Sequence, residues 1–300
     1  MIHMGRIRDI AESTDQELAE YLDHHGWTVN PFAHAATLDE YVLPGDEEIA
    51  DIASHLSSYT GPILIHSPYS GVGKTTLLKM LLEEYGQDYE TVYIGEHNVT
   101  PYELTAIVAD QIGVGKSSST KLTEQKIRDH VEGYVREPYL VGVDEFGLND
   151  PDTLHTIQFL NDLDDIHVIL TGMSSQWDAI GDLGSDGRAF QRRVSYQLEL
   201  EPFGREQTRE LVERRLAAAM GRDPTDQDVL DTVGTGPFTT EALDVIHERS
   251  QAVPAVITTA CAELVGLAAY QYANDAGDAV TVELAKAIDY AEPKVESNSE

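Results

Sequence analysis

The sequence predicts an α/β fold in which a five-stranded parallel sheet is followed by a small all-helical domain. Short apolar runs alternate with helical segments, an order typical of parallel sheets that carry helices on both faces. The strands are predicted at 62–66, 91–95, 139–143, 167–171 and 196–200. After Pro202 the chain shows helical periodicity alone as far as Ile288.

Helices are predicted between these strands and throughout the second domain. In the first part of the chain they follow a short amphipathic stretch at 15–24 and cover 46–57, 74–85 and 101–112. In the second part they cover 206–220, 226–233, 239–250, 254–274 and 281–288. We therefore expect an N-terminal extension (1–29), an α/β core (30–202), a helical lid domain (203–291) and a polar tail (292–300).

The composition is strongly acidic. The 300 residues include 53 Asp and Glu against 20 Lys and Arg, a formal charge of −33, yet 41% are hydrophobic and can form a core. This excludes global disorder. Only seven of the basic residues are lysine, and the acids are spread along the chain, which favours a halophilic protein whose charge is screened by salt. Binding of a basic partner is the alternative, and under the halophilic interpretation net charge does not exclude nucleic acid as a partner.

Nothing in the sequence indicates secretion or membrane insertion. The N-terminus lacks the apolar core of a signal peptide, and no run of about 18 apolar residues is free of charge. The single cysteine, Cys261, excludes an internal disulfide and a cysteine-built zinc site. His24 and His25 have no third ligand nearby in sequence and are interpreted as ordinary polar residues. We expect a cytoplasmic protein with no membrane partner.

A glycine-containing segment, HSPYSGVGKTT at 66–76, follows the first strand and opens a helix. Glycines let backbone N–H groups surround an anion, and the helix N-terminus adds positive potential. In the pattern G-x-x-x-x-G-K-[ST] a lysine reaches the β- and γ-phosphates and a hydroxyl ligates Mg²⁺. Pro68 departs from the pattern at its first glycine, and a chance glycine-rich turn is the alternative interpretation. The predicted nucleotide-binding residues are Gly71, Val72, Gly73, Lys74, Thr75 and Thr76.

Two further strands end in polar side chains. The strand at 139–143 runs into Asp144 and Glu145, and the strand at 167–171 ends at Thr171. Asp144 is predicted to hold Mg²⁺ with Thr75, and Glu145 to activate water as a general base. Thr171, or Ser174 just after it, is placed to contact the γ-phosphate. The alternatives are an acidic strand end in an acidic protein and an ordinary strand-to-loop threonine.

Basic residues are concentrated in two places. Eight arginines lie between Arg188 and Arg222. Arg192 or Arg193 is a candidate to reach a neighbouring subunit's γ-phosphate, whereas Arg205 to Arg222 is interpreted as a solvated helix face with i,i+4 pairs. Lys116, Lys121 and Lys126 either contact a phosphate backbone or belong to a solvated loop.

With these segments the chain resembles the AAA+ ATPases, in the branch of archaeal origin-recognition ATPases, transposition helpers and ExeA-type general-secretion ATPases. The resemblance rests on Asn30-Pro31-Phe32, the segment 71–78, Asp144-Glu145, and Arg193-Val194 ahead of Pro202-Phe203. It implies a phosphate-loop domain followed by a helical lid, and a haloarchaeal source is expected from the charge.

The same resemblance implies roles for individual residues. Lys74, Thr75, Asp144 and Glu145 form the site for ATP and Mg²⁺, Arg193 is the arginine that acts in trans, and 42–44 contribute to the adenine pocket. The family carries a nucleotide-sensing arginine where this chain has Ala255.

Two functions follow as hypotheses. The first is an ATPase that acts as a nucleotide-dependent switch or remodelling helper, in a homo-oligomer with a protein partner and with DNA, in replication or transposition. The second is an ATP-binding scaffold with little turnover that gates a protein–protein assembly, for which Pro68 and Ala255 are the reasons.

Overall fold

The structure, a computed structural model, describes residues 2–34, 36–96, 99–134, 137–146, 151–293 and 295, with the backbone alone at 2–12, 134 and 151. The chain divides into two compact units. An α/β unit contains Leu43–Glu201 and Val295–Glu300, and a helical unit contains Met1–Val42 and Pro202–Lys294.

One five-stranded sheet forms the α/β unit, as the sequence predicts. Its strands are β1 (Ile63–Ser67), β2 (Glu90–Ile94), β3 (Tyr139–Val143), β4 (Ile166–Met173) and β5 (Tyr196–Glu199). Their order is β2-β3-β4-β1-β5, and every pairing is parallel. The register sets Ile65 opposite Thr171 and Val143 opposite Leu170, so β1, β3 and β4 end at the same edge of the sheet.

Helices cover the sheet and connect its strands. They are α2 (Asp46–Ser58), α3 (Lys74–Glu84), α4 (Pro101–Gln111), α5 (Thr120–Tyr134), α6 (Pro151–Asn161), α7 (Ser174–Asp182) and α8 (Ser185–Gln191). The periodicity predicted α2, α3 and α4 but not α5 to α8.

The lack of a side chain at Gly142 fixes how closely α3 lies on the sheet. A Cβ at this position would come within 2.8 Å of Leu82 Cδ1 and 2.9 Å of Leu78 Cδ1. A glycine in a strand interior is typical of such close approach. The contact seats α3, and with it Lys74 and Thr75 at its start, directly above β3.

The helical unit contains α1 (Ile2–His25), α9 (Arg205–Ala219), α10 (Gln227–Val233), α11 (Thr240–Arg249), α12 (Pro254–Ala273) and α13 (Val282–Ala287). Its first helix is longer than the stretch expected at 15–24 and packs along α12. None of the helices in the described part of the chain combines the length and apolarity needed to cross a bilayer.

Residues 30–42 pack with the helices of this unit, although the sequence placed them in the α/β core. Phe32 and Val42 join the apolar core formed by α9, α11 and α12. Glu40 accepts a hydrogen bond at 2.5 Å from Arg215 of α9, and each side chain is 3% exposed. The interpretation of Arg205 to Arg222 as a solvated face is therefore wrong for Arg215, because its guanidinium pairs with a buried carboxylate.

Candidate nucleotide-binding site

The loop between β1 and α3 has the backbone shape that its glycines allow. Gly71 has φ +85° and Gly73 has φ +101°, a left-handed region that favours glycine. Lys74 begins α3 directly after Gly73, and Val72 is buried beneath the loop. Pro68 has no N–H to donate, and the chain on either side of it is joined by a hydrogen bond from the N–H of Tyr69 to Ser67 Oγ at 3.1 Å.

Lys74 reaches across this loop to the end of a neighbouring strand. Its Nζ donates to the carbonyl oxygen of Tyr69 at 2.9 Å and lies 3.3 Å from Met173 Sδ at the end of β4. The ammonium therefore lies beside the loop, and Lys74 itself is the first residue of α3, at the positive end of the helix dipole.

Asp144 is the centre of the hydrogen-bond network at this edge. Its Oδ1 accepts from Thr75 Oγ1 at 3.0 Å and from Thr171 Oγ1 at 2.6 Å. The backbone N–H of Glu145 also donates to Oδ1, at 3.0 Å. Oδ2 accepts from the hydroxyl of Tyr93 at 3.0 Å, and Asp144 is only 6% exposed. The fold thus brings together the residues that the sequence assigned to metal binding.

Tyr93, on β2, was missed by the sequence reasoning. Its ring bends over Gly95, where a Cβ would lie 2.7 Å from the ring. Burial raises the pKa of Tyr93 to about 12, and the adjacent Asp144 charge adds to the shift. The hydroxyl therefore stays a hydrogen-bond donor at neutral pH. No local sequence pattern marks this role, because the contact joins side chains of two neighbouring strands.

Glu145 follows Asp144 in a conformation that non-glycine residues seldom adopt. Its φ is +46°, and its N–H donates to Thr171 Oγ1 at 3.1 Å as well as to Asp144. Such backbone strain is concentrated at functional sites. The side chain is exposed at the edge of the sheet where Lys74 and Asp144 meet.

Thr171 and Ser174 have different surroundings. Thr171 is fully buried and joins Asp144 to the backbone of Glu145. Ser174 Oγ lies 2.9 Å from Nδ1 of His66, whose pKa is lowered mainly by burial. Of the two residues, Thr171 is the one in contact with the acidic strand end.

Arg193 does not join this group within the chain. It follows α8, and its carbonyl oxygen approaches Gly61, ahead of β1, at the opposite end of that strand from the loop. Its exposed guanidinium pairs with Asp162 at 3.1 Å. Two positions singled out by the resemblance fall in the helical unit, where Val42 is buried in the core and Ala255 is exposed in the first turn of α12.

The donor set suits a small hard cation. The Thr75 hydroxyl and the Asp144 carboxylate offer oxygen atoms 3.0 Å apart, and oxygen ligands are those that Mg²⁺ prefers. Lys74 and the helix N-terminus supply positive charge beside them, as a polyphosphate requires. A phosphate loop, a lysine and a metal-binding carboxylate at one sheet edge are the parts of a nucleotide site.

One protein family matches the part of the chain that contains this group of residues. The profile of a family described as "AAA domain" matches residues 58–180, which include the loop, Asp144, Glu145 and Thr171. The chain carries an AAA domain. The expected resemblance to general-secretion ATPases is found in the sequence, the resemblance to archaeal origin-recognition ATPases is found in the fold, and the haloarchaeal source stays a prediction.

General secretion pathway protein A of Aeromonas hydrophila is 26% identical over 200 residues, which are 64% of this chain. The match covers 34% of that protein, so this chain spans about a third of the length of its relative. Among solved structures, Cdc6p from Pyrobaculum aerophilum superposes with a TM-score of 0.61 and 14% identity, over 85% of this chain and 68% of the other. The ORC2 protein of Aeropyrum pernix, in ADPNP and ADP complexes, superposes with a TM-score of 0.55 and 15% identity, over 80% of this chain and 65% of the other. These likenesses establish the fold.

Proposed function

We propose that this AAA chain binds ATP with Mg²⁺ and hydrolyses it, acting as a nucleotide-dependent switch or remodelling helper. The observation that carries the proposal is the pairing of Asp144 with both Thr75 and Thr171, beside Lys74 at the start of α3. Phosphate-loop ATPases rely on positioning and charge stabilisation rather than covalent chemistry, and these side chains supply both.

Binding of the triphosphate uses the loop and its lysine. The N–H groups around Gly71 and Gly73 surround the phosphate oxygens, and Lys74 exchanges its contacts with Tyr69 and Met173 for the β- and γ-phosphates. Thr75 and Asp144 would hold Mg²⁺, and a bound ion would neutralise charge that develops on the phosphates. Thr171 and Tyr93 keep the Asp144 carboxylate in position through their hydroxyl groups.

Hydrolysis requires a base that can face the attacking water. Glu145 is exposed at the strand end, and its backbone is fixed by hydrogen bonds to Asp144 and Thr171. We assign it the role of accepting a proton from that water. Thr171, which orients both acids, is a positioning residue for this step.

A scaffold with slow turnover is the second candidate. Ala255 offers no charge at the first turn of α12, where the family resemblance places a nucleotide-sensing arginine, and Pro68 removes one N–H from the loop. Under this function the protein binds ATP and releases little phosphate, even when a partner is present.

We further propose that Arg193 acts in trans in a homo-oligomer. Its ion pair with Asp162 is exposed on both sides, and pairs of this kind contribute at most about 1 kcal/mol. The guanidinium can therefore leave Asp162 for a neighbour's phosphate. Arg193→Ala should bind ATP normally but lose turnover. Mixing this variant with Glu145→Gln should restore some turnover, because a mixed interface can combine the intact Glu145 of one subunit with the intact Arg193 of the other.

The cellular setting is also a proposal. We place the protein in the cytoplasm at high salt, with a protein partner and DNA contacted through lysines such as Lys116 and Lys121 or through the arginines near Arg193. ATP-dependent binding of duplex DNA that is lost in lysine or arginine variants would support the DNA role. Folded protein that shows no such binding across a range of KCl concentrations would count against it.

Equilibrium binding of a fluorescent ATP analogue tests the site itself. Lys74→Ala should abolish binding, whereas Lys121→Ala, which removes an exposed lysine elsewhere in the unit, should bind as wild type does. Both variants are measured in multimolar KCl with Mg²⁺ after circular dichroism has shown them to be folded. Equal binding by the two variants would contradict the assignment of the loop.

A further inference from the structure

A second cluster of polar side chains lies within the helical unit. His24 and His25 end α1, and Asp278 lies in the loop after α12. One ligand atom from each of the three residues lies within 4.8 Å of the others. No third ligand for the histidine pair could be recognised in the sequence, because Asp278 is 254 positions away from His24.

The fold fixes the position of Asp278 independently of its carboxylate. The hydroxyl of Tyr21 donates to the carbonyl oxygen of Asp278 at 2.7 Å. Ahead of it, Asp275 has φ +56° and Gly277 has φ +114°, which turns the chain back toward α1. The carboxylate is therefore presented to the histidines by main-chain contacts.

Aromatic neighbours hold both imidazoles. The ring of His24 stacks on Tyr272 with centroids 4.7 Å apart, and the ring of His25 stacks on Trp27 at 4.8 Å. Tyr21 contacts His25 edge-on at 4.5 Å. Ligands whose rings are already oriented lose little freedom when they bind an ion.

A histidine–carboxylate pair accounts for only part of this arrangement. His24 Nε2 lies 3.1 Å from Asp278 Oδ2, an ordinary surface pairing. Nε2 of His25, however, is shielded from solvent and has no hydrogen-bond partner in the described part of the chain. A buried polar atom left without a partner costs stability and needs an explanation. A cation bound between the three side chains provides one.

We propose that His24, His25 and Asp278 bind a divalent transition-metal ion of the Zn²⁺ class, joining α1 to the loop after α12. Two imidazoles and one carboxylate are a donor set that such ions favour, with water completing the coordination. Bonds of about 2.1 Å would bring the ligand atoms to about 3.4 Å from one another. Rotation of the exposed Asp278 side chain can close most of the remaining distance while the histidine rings keep their stacking.

The expected consequence is local stabilisation. An ion that binds the folded unit but not the unfolded chain raises its stability by mass action. Because α1 packs along α12, the effect should be to hold the first helix against the helical unit. The site is independent of the phosphate loop, so it can be tested whatever the outcome for ATP.

Calorimetric titration of the full chain, stripped with chelator, measures the binding of Zn²⁺. Wild type should bind one ion per chain. Asp278→Asn should weaken binding by about tenfold or more, because it removes a ligand while the main-chain bond from Tyr21 remains. Asp275→Asn is the matched control, since it makes the same charge change in the same loop at a position that contributes no ligand.

A second variant separates ligation from folding. His25→Phe keeps an aromatic ring to stack on Trp27 and removes both ring nitrogens. It should retain the helical circular dichroism of wild type, lose the tight binding and lose the rise in Tm that Zn²⁺ causes. The proposal is overturned if wild type shows no saturable binding of one ion, or if Asp278→Asn or His25→Phe binds Zn²⁺ as tightly as Asp275→Asn.

Discussion

Replacing Tyr93 by phenylalanine removes the hydroxyl that donates to Oδ2 of Asp144 at 3.0 Å and keeps the ring beside Gly95. The other donors to this carboxylate in the described chain, Thr75 among them, bond Oδ1, so Oδ2 loses its hydrogen bond from the Tyr93 hydroxyl. A hydrogen bond to a charged group contributes about 1.5–3 kcal/mol. Tyr93 is only half-buried, so water can replace part of the lost hydrogen bond. We therefore expect a loss at the lower end of this range, which corresponds to a decrease of about tenfold in Mg²⁺ affinity.

The assay is the Mg²⁺ dependence of ATP hydrolysis, or of ATP binding if turnover is slow. Tyr93→Phe should raise the half-maximal Mg²⁺ concentration about tenfold, with a rate at saturating Mg²⁺ close to that of wild type. Tyr89→Phe, a tyrosine just before the same strand, is the control and should leave the Mg²⁺ dependence unchanged. An unchanged dependence in Tyr93→Phe, or an equal shift in both variants, would refute the reasoning.

Three further changes test the fold around the site and the helical unit. Arg215→Met leaves the carboxylate of Glu40 buried without its arginine partner, and urea unfolding should show a loss of about 3 kcal/mol. Gly187→Ala places a Cβ 1.7 Å from the carbonyl oxygen of Ile180, so the urea midpoint should fall by an amount equivalent to about 1–3 kcal/mol. Burial lowers the pKa of His66 in the folded state, so below about pH 6.5 the unfolded state binds more protons than the folded state. The stability therefore decreases as the pH is lowered through this range. His66→Gln should make the decrease in Tm at acid pH shallower.

The sheet was predictable because its inner strands contain short, buried apolar runs. β1 and β3 are buried at every residue, and in the sequence each is a short run of apolar residues next to turn signals. α4 likewise carries local signals, since Thr100 caps it and Pro101 occupies its first turn. Such features depend on neighbours in sequence and can be recognised without the fold.

The helices α7 and α8 lacked such signals. α7 begins at Ser174, directly after Met173 of β4, so no loop separates strand from helix. Its start is held by Gln176, whose Oε1 accepts from the N–H of Met173 at 3.0 Å. α8 contains only seven residues and starts after a glycine with φ +82°. Periodicity is weak over lengths this short.

The candidate site was predictable only where its residues lie in short strings. Lys74 and Thr75 follow one strand and Asp144 another, and parallel strands bring such ends together. The contact of Tyr93 with Asp144 depends on how a ring bends across two strands, which no local pattern encodes. The burial of Arg215 is a similar case, since only the fold distinguishes it from its neighbour Arg214.

Phosphate release by wild type and by Glu145→Gln, measured side by side in multimolar KCl with Mg²⁺ and ATP, tests the central claim most directly. The account predicts turnover by wild type, and ATP binding without turnover by Glu145→Gln, because the amide cannot accept a proton from water. Equal turnover by the two proteins would contradict the role of Glu145 and the mechanism built on it.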